Sequence, residues 1–164
     1  MPDLKKLILD TSICIDLYHG KLLKAVLQLQ RKIVLPDVII AELEEPAGEL
    51  LLKIGFIQEG TSGEETEDII ALRNEYANPS TNDLVALYLA RRNACYLITG
   101  DNALRNAAKQ EGVTVHGLLW LMDALVKLEI INKSKASEAL KSIIEAGSWL
   151  PKRECEERFK KWHK

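Results

Sequence analysis

Short apolar runs alternate with helix-spaced stretches along this chain, and that alternation limits the folds open to it. Leu7-Ile8-Leu9, Ile33-Val34-Leu35 and Tyr96-Leu97-Ile98 carry no polar alternation. Runs of that kind read as strands buried on both faces, the pattern of a parallel sheet. Val113-Thr114-Val115 reads as the last strand and Phe56-Ile57 as a short edge strand. Between them, residues 11–18, 22–29, 37–45, 64–76, 81–92 and 102–111 read as helices, with a further helical turn at 50–54. Parallel strands need crossovers of a dozen or more residues, and helices supply them. The expected class is α/β, with a parallel sheet covered on both faces.

Local punctuation fits that reading. His19-Gly20 ends the first helix, Pro46 closes the third, and Asn78-Pro79-Ser80 separates two others. Residues 81–92 leave little polar face, with Leu84, Val85, Ala86, Leu87, Leu89 and Ala90, so that helix is expected at the centre. Residues 118–128, 135–146 and 152–162 read as three closing helices. A chain of 164 residues, 47% of them hydrophobic, can bury one core without a disulfide or structural metal. No apolar run approaches a membrane span, and the residues before Leu7 are too few for a signal peptide. Cys14, Cys95 and Cys155 are odd in number, far apart and in no CxxC pair, which argues against zinc and disulfides. A cytoplasmic protein without membrane association is expected.

Four acids then stand out. Asp10 ends the first apolar run, Glu42 lies in Val38-Ile39-Ile40-Ala41-Glu42, Asp83 in Ser80-Thr81-Asn82-Asp83, and Asp101 in Ile98-Thr99-Gly100-Asp101. Simpler readings exist for each. Asp10 and Asp101 could cap the helices that follow them, and Ser80 with Asp83 has the form of a capping box. Glu42 shares a helix face with Val38 and Ile39, so it is expected to point inward and to need a cation, either a basic side chain or a metal. Asp10 and Asp101 both leave buried strands, so both emerge at the carboxyl edge of a parallel sheet, where ligand sites form. Four acids gathered there would repel one another unless a cation neutralised them. Ligation by oxygen alone points to Mg²⁺ or Mn²⁺.

The same stretches, in the same order, resemble the PIN-domain family of nucleases. The residues that carry the likeness are Leu9-Asp10-Thr11-Ser12, Leu35-Pro36-Asp37 with Ala41-Glu42-Leu43, Asn82-Asp83-Leu84, Ile98-Thr99-Gly100-Asp101-Asn102, and Gly112-Val113 with His116-Gly117-Leu118. The resemblance implies a three-layer α/β/α sandwich with a five-stranded parallel sheet. It implies a metal-dependent endoribonuclease acting on single-stranded RNA, with Asp10, Glu42, Asp83 and Asp101 as the acidic metal site. Ser12, Asn82, Thr99 and Asn102 match positions that support such a site by hydrogen bonds. Many small prokaryotic members resemble VapC-type toxins held inactive by an antitoxin protein, and a homodimer is the expected assembly. Residues 1–120 are expected to form the nuclease core, and 121–164 a helical extension packed on the same domain.

The other functional signals are fewer. Net charge is 22 − 24 = −2, so any nucleic-acid contact must come from a local basic patch. Arg91, Arg92 and Arg105 are candidates to meet RNA phosphates. Residues 152–164 hold six basic and three acidic residues with Phe159 and Trp162, and their aromatic face is expected against the core. Trp120 and Trp149 are expected to pack the closing helices, Cys14 and Cys95 to be small core residues, and the three histidines show no metal-ligand spacing. Two other functions compete with the nuclease. One is a non-catalytic module that binds RNA or protein. The other is an aspartyl phosphatase, which would want a second acid where this chain has Ser12.

Overall fold

The computed structural model of the chain describes residues 6–163. The absence of a leader was read from residues 1–5, and Lys164 closes the basic C-terminal stretch; both lie outside the described residues. The strands are β1 (Leu7–Leu9), β2 (Ile33–Pro36), β3 (Ile57–Glu59), β4 (Tyr96–Ile98) and β5 (Val115–His116). They form one parallel sheet in the order β3-β2-β1-β4-β5. The helices are α1 (Thr11–His19), α2 (Leu23–Val26), α3 (Asp37–Glu42), α4 (Gly48–Ile54), α5 (Thr66–Glu75), α6 (Thr81–Asn93), α7 (Asn102–Gln110), α8 (Leu118–Lys127), α9 (Lys133–Glu145) and α10 (Lys152–Trp162). Helices flank the sheet on both faces, which makes the expected three-layer α/β/α sandwich.

The strand order creates the feature that matters for function. From β1 the chain winds outward through β2 to β3, then crosses back to β4 on the other side of β1. The winding therefore reverses between β1 and β4, which pair at Leu9 and Ile98. In open α/β sheets the crevice at such a reversal, outside the carboxyl ends, is where ligands bind. Asp10 and Thr99 are the first residues past those two ends. The apolar strand runs are buried as their composition predicts: Leu7, Ile8, Leu9, Leu97 and Ile98 have no exposure. Residues 84–90 of α6 are buried without interruption, and the helix packs on β1, β2 and β4.

Several expectations shift. The second helix is one turn rather than residues 22–29, because Gln28 and Leu29 bond back three residues, to the Ala25 and Val26 carbonyls, and tighten the chain into turns. The last strand is Val115–His116 rather than 113–115: the Val113 N–H is taken by the Ala108 carbonyl and finishes α7. Helix α3 stops at Glu42 instead of near Glu45, and Leu43 turns extended at ψ 125° with its side chain buried. The buried stripe of this element is thus Ile39 and Leu43, and Glu42 is exposed rather than inward-facing. Gly48 holds α4 close to α3, since a Cβ there would sit 2.1 Å from the Ile40 carbonyl oxygen.

The closing helices bury Trp162 at 2% exposure, with Phe159 half-buried against the core, so the aromatic face of α10 is core as expected. Trp120 is half-buried and stacks on His116 at 4.0 Å. Trp149 does not pack: it is 80% exposed in the loop between α9 and α10. All three cysteines are free and buried. Among the described residues no helix is long and apolar enough to cross a membrane.

Candidate functional site

Asp10 is the most enclosed of the four acids, at 2% exposure. It sits at the N-terminus of α1, where its Oδ1 accepts from the Ile13 N–H at 2.9 Å and from the Ser12 hydroxyl at 3.0 Å. Oδ2 accepts from the Thr99 hydroxyl across the β1–β4 boundary. Burial pushes its pKa up to about 6; the hydrogen bonds from Thr99, Ile13 and Ser12 work against that rise, and the Asp83 charge adds to it. A buried carboxylate that repels a neighbouring acid and has no basic partner is a costly arrangement unless a cation joins it.

The other three acids lie on different elements, Asp83 half-buried and Glu42 and Asp101 exposed. Asp101 caps α7, its Oδ1 accepting from the Leu104 N–H at 2.9 Å, while its own N–H donates to the Thr99 Oγ1 at 3.0 Å. Thr99 therefore ties the tips of β1 and β4 together through one hydroxyl. Asp83 lies in the first turn of α6, where the Ser80 hydroxyl accepts from its N–H at 3.1 Å. Its pKa is raised by burial first, against hydrogen bonds from Ser80, with Asp101 and Glu42 adding repulsion. Glu42, at the end of α3, accepts from the Thr11 hydroxyl. The capping readings of Asp10, Ser80 and Asp101 are thus correct, and a cap leaves the charge of its carboxylate free to act on neighbours.

The Asp83 charge adds to the rise at Asp10, and Asp101 and Glu42 add to the rise at Asp83. None of the four forms an ion pair among the described residues. Among those residues no three His, Cys, Asp or Glu side chains close round one point as a formed metal site. Several carboxylate oxygens are instead held by O–H and N–H donors of Thr11, Ser12, Ile13, Thr99 and Leu104. The donor set, hard oxygens under mutual repulsion with no balancing base, fits a hard divalent cation.

Of the supporting residues, Ser12 and Thr99 bond Asp10 directly. Asn82 is half-buried and Asn102 exposed, and neither side chain hydrogen-bonds among the described residues. Arg91 and Arg92 sit in the last turn of α6, the opposite end from Asp83. Arg91 pairs with Glu111, and Arg92 with Glu59 and Glu65, so both are neutralised locally rather than turned to the crevice. Arg105 is different: one guanidinium nitrogen donates to the Thr99 carbonyl at 3.2 Å, and it has no acidic partner among the described residues.

The sequence reading missed Thr11 and Asp16. Thr11 was overlooked beside Asp10, though a hydroxyl at a helix start was its signal. Asp16 is buried on α1 with its pKa pushed up to about 6 by burial, against a Ser148 hydrogen bond and His19. Its place three residues after Ile13 on the buried face could have marked it.

Comparison with known proteins decides the family. The family model described as "DUF3368: PIN domain" matches residues 6–164, nearly the whole chain. The chain belongs to the PIN-domain family. A PilT N-terminus domain protein from the hyperthermophilic archaeon Sulfolobus solfataricus has a similar structure, with TM-score 0.52 and 17% identity over 74% of this chain and 93% of that one. At that identity the likeness speaks for the fold alone. No curated protein matches this sequence. PIN domains are nuclease-type folds, and in this one the four acids come from the ends of β1 and β4 and from α3 and α6.

The cap of α6 gives a direct check on how this PIN domain holds Asp83. Ser80→Ala removes the acceptor for the Asp83 N–H, so a loss of about 1 kcal/mol is expected. Urea denaturation should show a lower midpoint with an unchanged slope.

Proposed function

We propose that the chain is a metal-dependent endoribonuclease that hydrolyses phosphodiester bonds of single-stranded RNA. The observation that carries this reading is Asp10, buried at the reversal of the sheet without a basic partner among the described residues, with Asp83 adding to its raised pKa and Asp101 and Glu42 adding to that of Asp83. Asp10, Glu42, Asp83 and Asp101 would hold Mg²⁺ or Mn²⁺. Bound there, such an ion would polarise a phosphate oxygen and lower the pKa of an attacking water. The chain's own groups do the rest. Thr99 and Ser12 orient Asp10, Thr11 orients Glu42, and Ser80 fixes the turn that carries Asp83. Arg105, anchored on the Thr99 carbonyl, would meet a phosphate of the bound strand.

The test is cleavage of end-labelled single-stranded RNA with Mn²⁺, with EDTA, and after Mn²⁺ is restored. Asp83→Asn is expected to lower the rate about 100-fold or more, in the range of a lost acid–base or charge-stabilising group. Arg105→Ala is expected to raise KM more than it lowers kcat. No cleavage under any metal, with RNA still bound, supports the second reading of a non-catalytic binding module. That reading draws on the acids' failure to close round one point. The proposal extends to a cytoplasmic toxin restrained by an antitoxin protein and to a homodimer. Co-purification with the neighbouring gene's product and light scattering of the pure protein test those extensions.

A further inference from the structure

Trp149 is the most exposed large apolar side chain among the described residues. It is placed beside the candidate site rather than far from it. It walls a cavity of about 400 Å³ that also takes in Asn102, Arg105, His116 and Trp120. It walls a second, of about 370 Å³, that takes in Ser12, Asp16 and Asp101. The two meet at Gly100 and Leu118, so the indole stands over a groove with Asp101 and Asp16 on one side and Arg105 on the other.

We propose that Trp149 is a stacking platform for an unpaired base of the single strand whose phosphate lies at the acids, with Arg105 holding the adjacent phosphate. This rests on the nuclease reading above. An indole face open to water binds a base face of any identity, and only an unpaired strand presents one. The charge on the groove wall suits a phosphodiester. Arg105 lines the first cavity and has no acidic partner among the described residues. Arg158 also lines the first cavity but is tied to Asp123 at 2.7 and 3.2 Å, and Glu154 is the acid on that lining. The lining is mixed, with Val115, Leu118 and Leu150 beside Asn102, Arg105 and His116, and an apolar floor edged by a cation suits a base with its phosphate.

The experiment measures fluorescence anisotropy of a labelled oligouridylate of about 12 nucleotides, and of its duplex with oligoadenylate, in Ca²⁺. Wild type, Trp149→Ala and Trp149→Phe are compared, with cleavage in Mn²⁺ measured in parallel. The exposed indole contributes little to folding, so all three should melt together. Trp149→Ala is expected to weaken single-strand binding about 10-fold, to leave duplex binding unchanged, and to raise KM with little change in kcat, while Trp149→Phe stays near wild type. Equal single-strand binding by wild type and Trp149→Ala overturns the proposal. So does an equal loss for strand and duplex, or a change of oligomeric state on substitution. Cleavage that ignores Trp149 sinks the platform and leaves the nuclease standing. Trp149-dependent single-strand binding without any cleavage does the reverse.

Discussion

Asp10→Asn is expected to abolish RNA cleavage and, at pH 8 without metal, to raise the melting temperature. The two effects have one cause. Asp10 is buried, repelled by Asp83 and unpaired by any base among the described residues, so the folded chain holds its proton more tightly than the unfolded chain does. A carboxyl raised from 3.8 to about 6 costs the folded state about 3 kcal/mol once fully ionised. The sign follows from linkage. The group favours folding below pH 4, loses that contribution as pH rises through 6, and burdens the native state above it. Asparagine carries no charge at any pH. It can still accept from the Ile13 N–H and the Ser12 hydroxyl, but it gives up the acceptor for Thr99, at about 1 kcal/mol.

The net expectation is that the variant is about 2 kcal/mol more stable at pH 8, or about 4–8 °C in melting temperature for a chain of this size. The advantage should shrink through pH 6 and reverse near pH 4. Added Mn²⁺ should raise the melting temperature of wild type by mass action and leave the variant nearly unmoved. Melting curves across pH, with and without Mn²⁺, check all three statements. A variant that is inactive and also less stable at pH 8 would mean that Asp10 serves the fold as a cap and little else. Asp16 carries a similar burial-driven shift on α1, so the comparison is between the two proteins at each pH rather than along one curve.

The parts of this molecule that the sequence disclosed are those governed by local rules. Three apolar residues followed by an aspartate are enough to place Asp10 at a strand end and a helix start, because burial and capping both act within a few residues. The same holds for Asp101 and for the uninterrupted apolar core of α6. What escaped was set by contacts distant in sequence. Arg91 and Arg92 looked available for phosphate because their partners, Glu111, Glu65 and Glu59, lie 20, 27 and 33 residues away. Glu42 was expected inward from its spacing to Val38 and Ile39, but Val38 is only half-buried and the buried side of the element runs from Ile39 to Leu43. Trp149 was expected to pack the closing helices on the general habit of tryptophan, and no local signal marks an indole that a loop will hold open to water.

Trp162→Ala is expected to be the most destabilising single change in the closing helices, and it tests whether residues 121–164 unfold with the rest. The indole is 2% exposed near the C-terminal end of α10. That helix packs on α9, and α9 packs on α1, the helix that begins at Asp10. Removing a buried indole costs about 3–5 kcal/mol, because the surrounding side chains cannot close the space it leaves. The Arg158–Asp123 ion pair between α10 and α8 is partly exposed and cannot offset a loss of that size. Trp162 lies in the same buried cluster as the sheet residues, so calorimetry should show a single transition lowered by about 10 °C, and cleavage should fail at the same lower temperature. Two transitions, the upper one unmoved, would mean that the last helices unfold by themselves. Phe159→Ala gives the graded control, since its ring is only half-buried and its removal should shift the same transition by less.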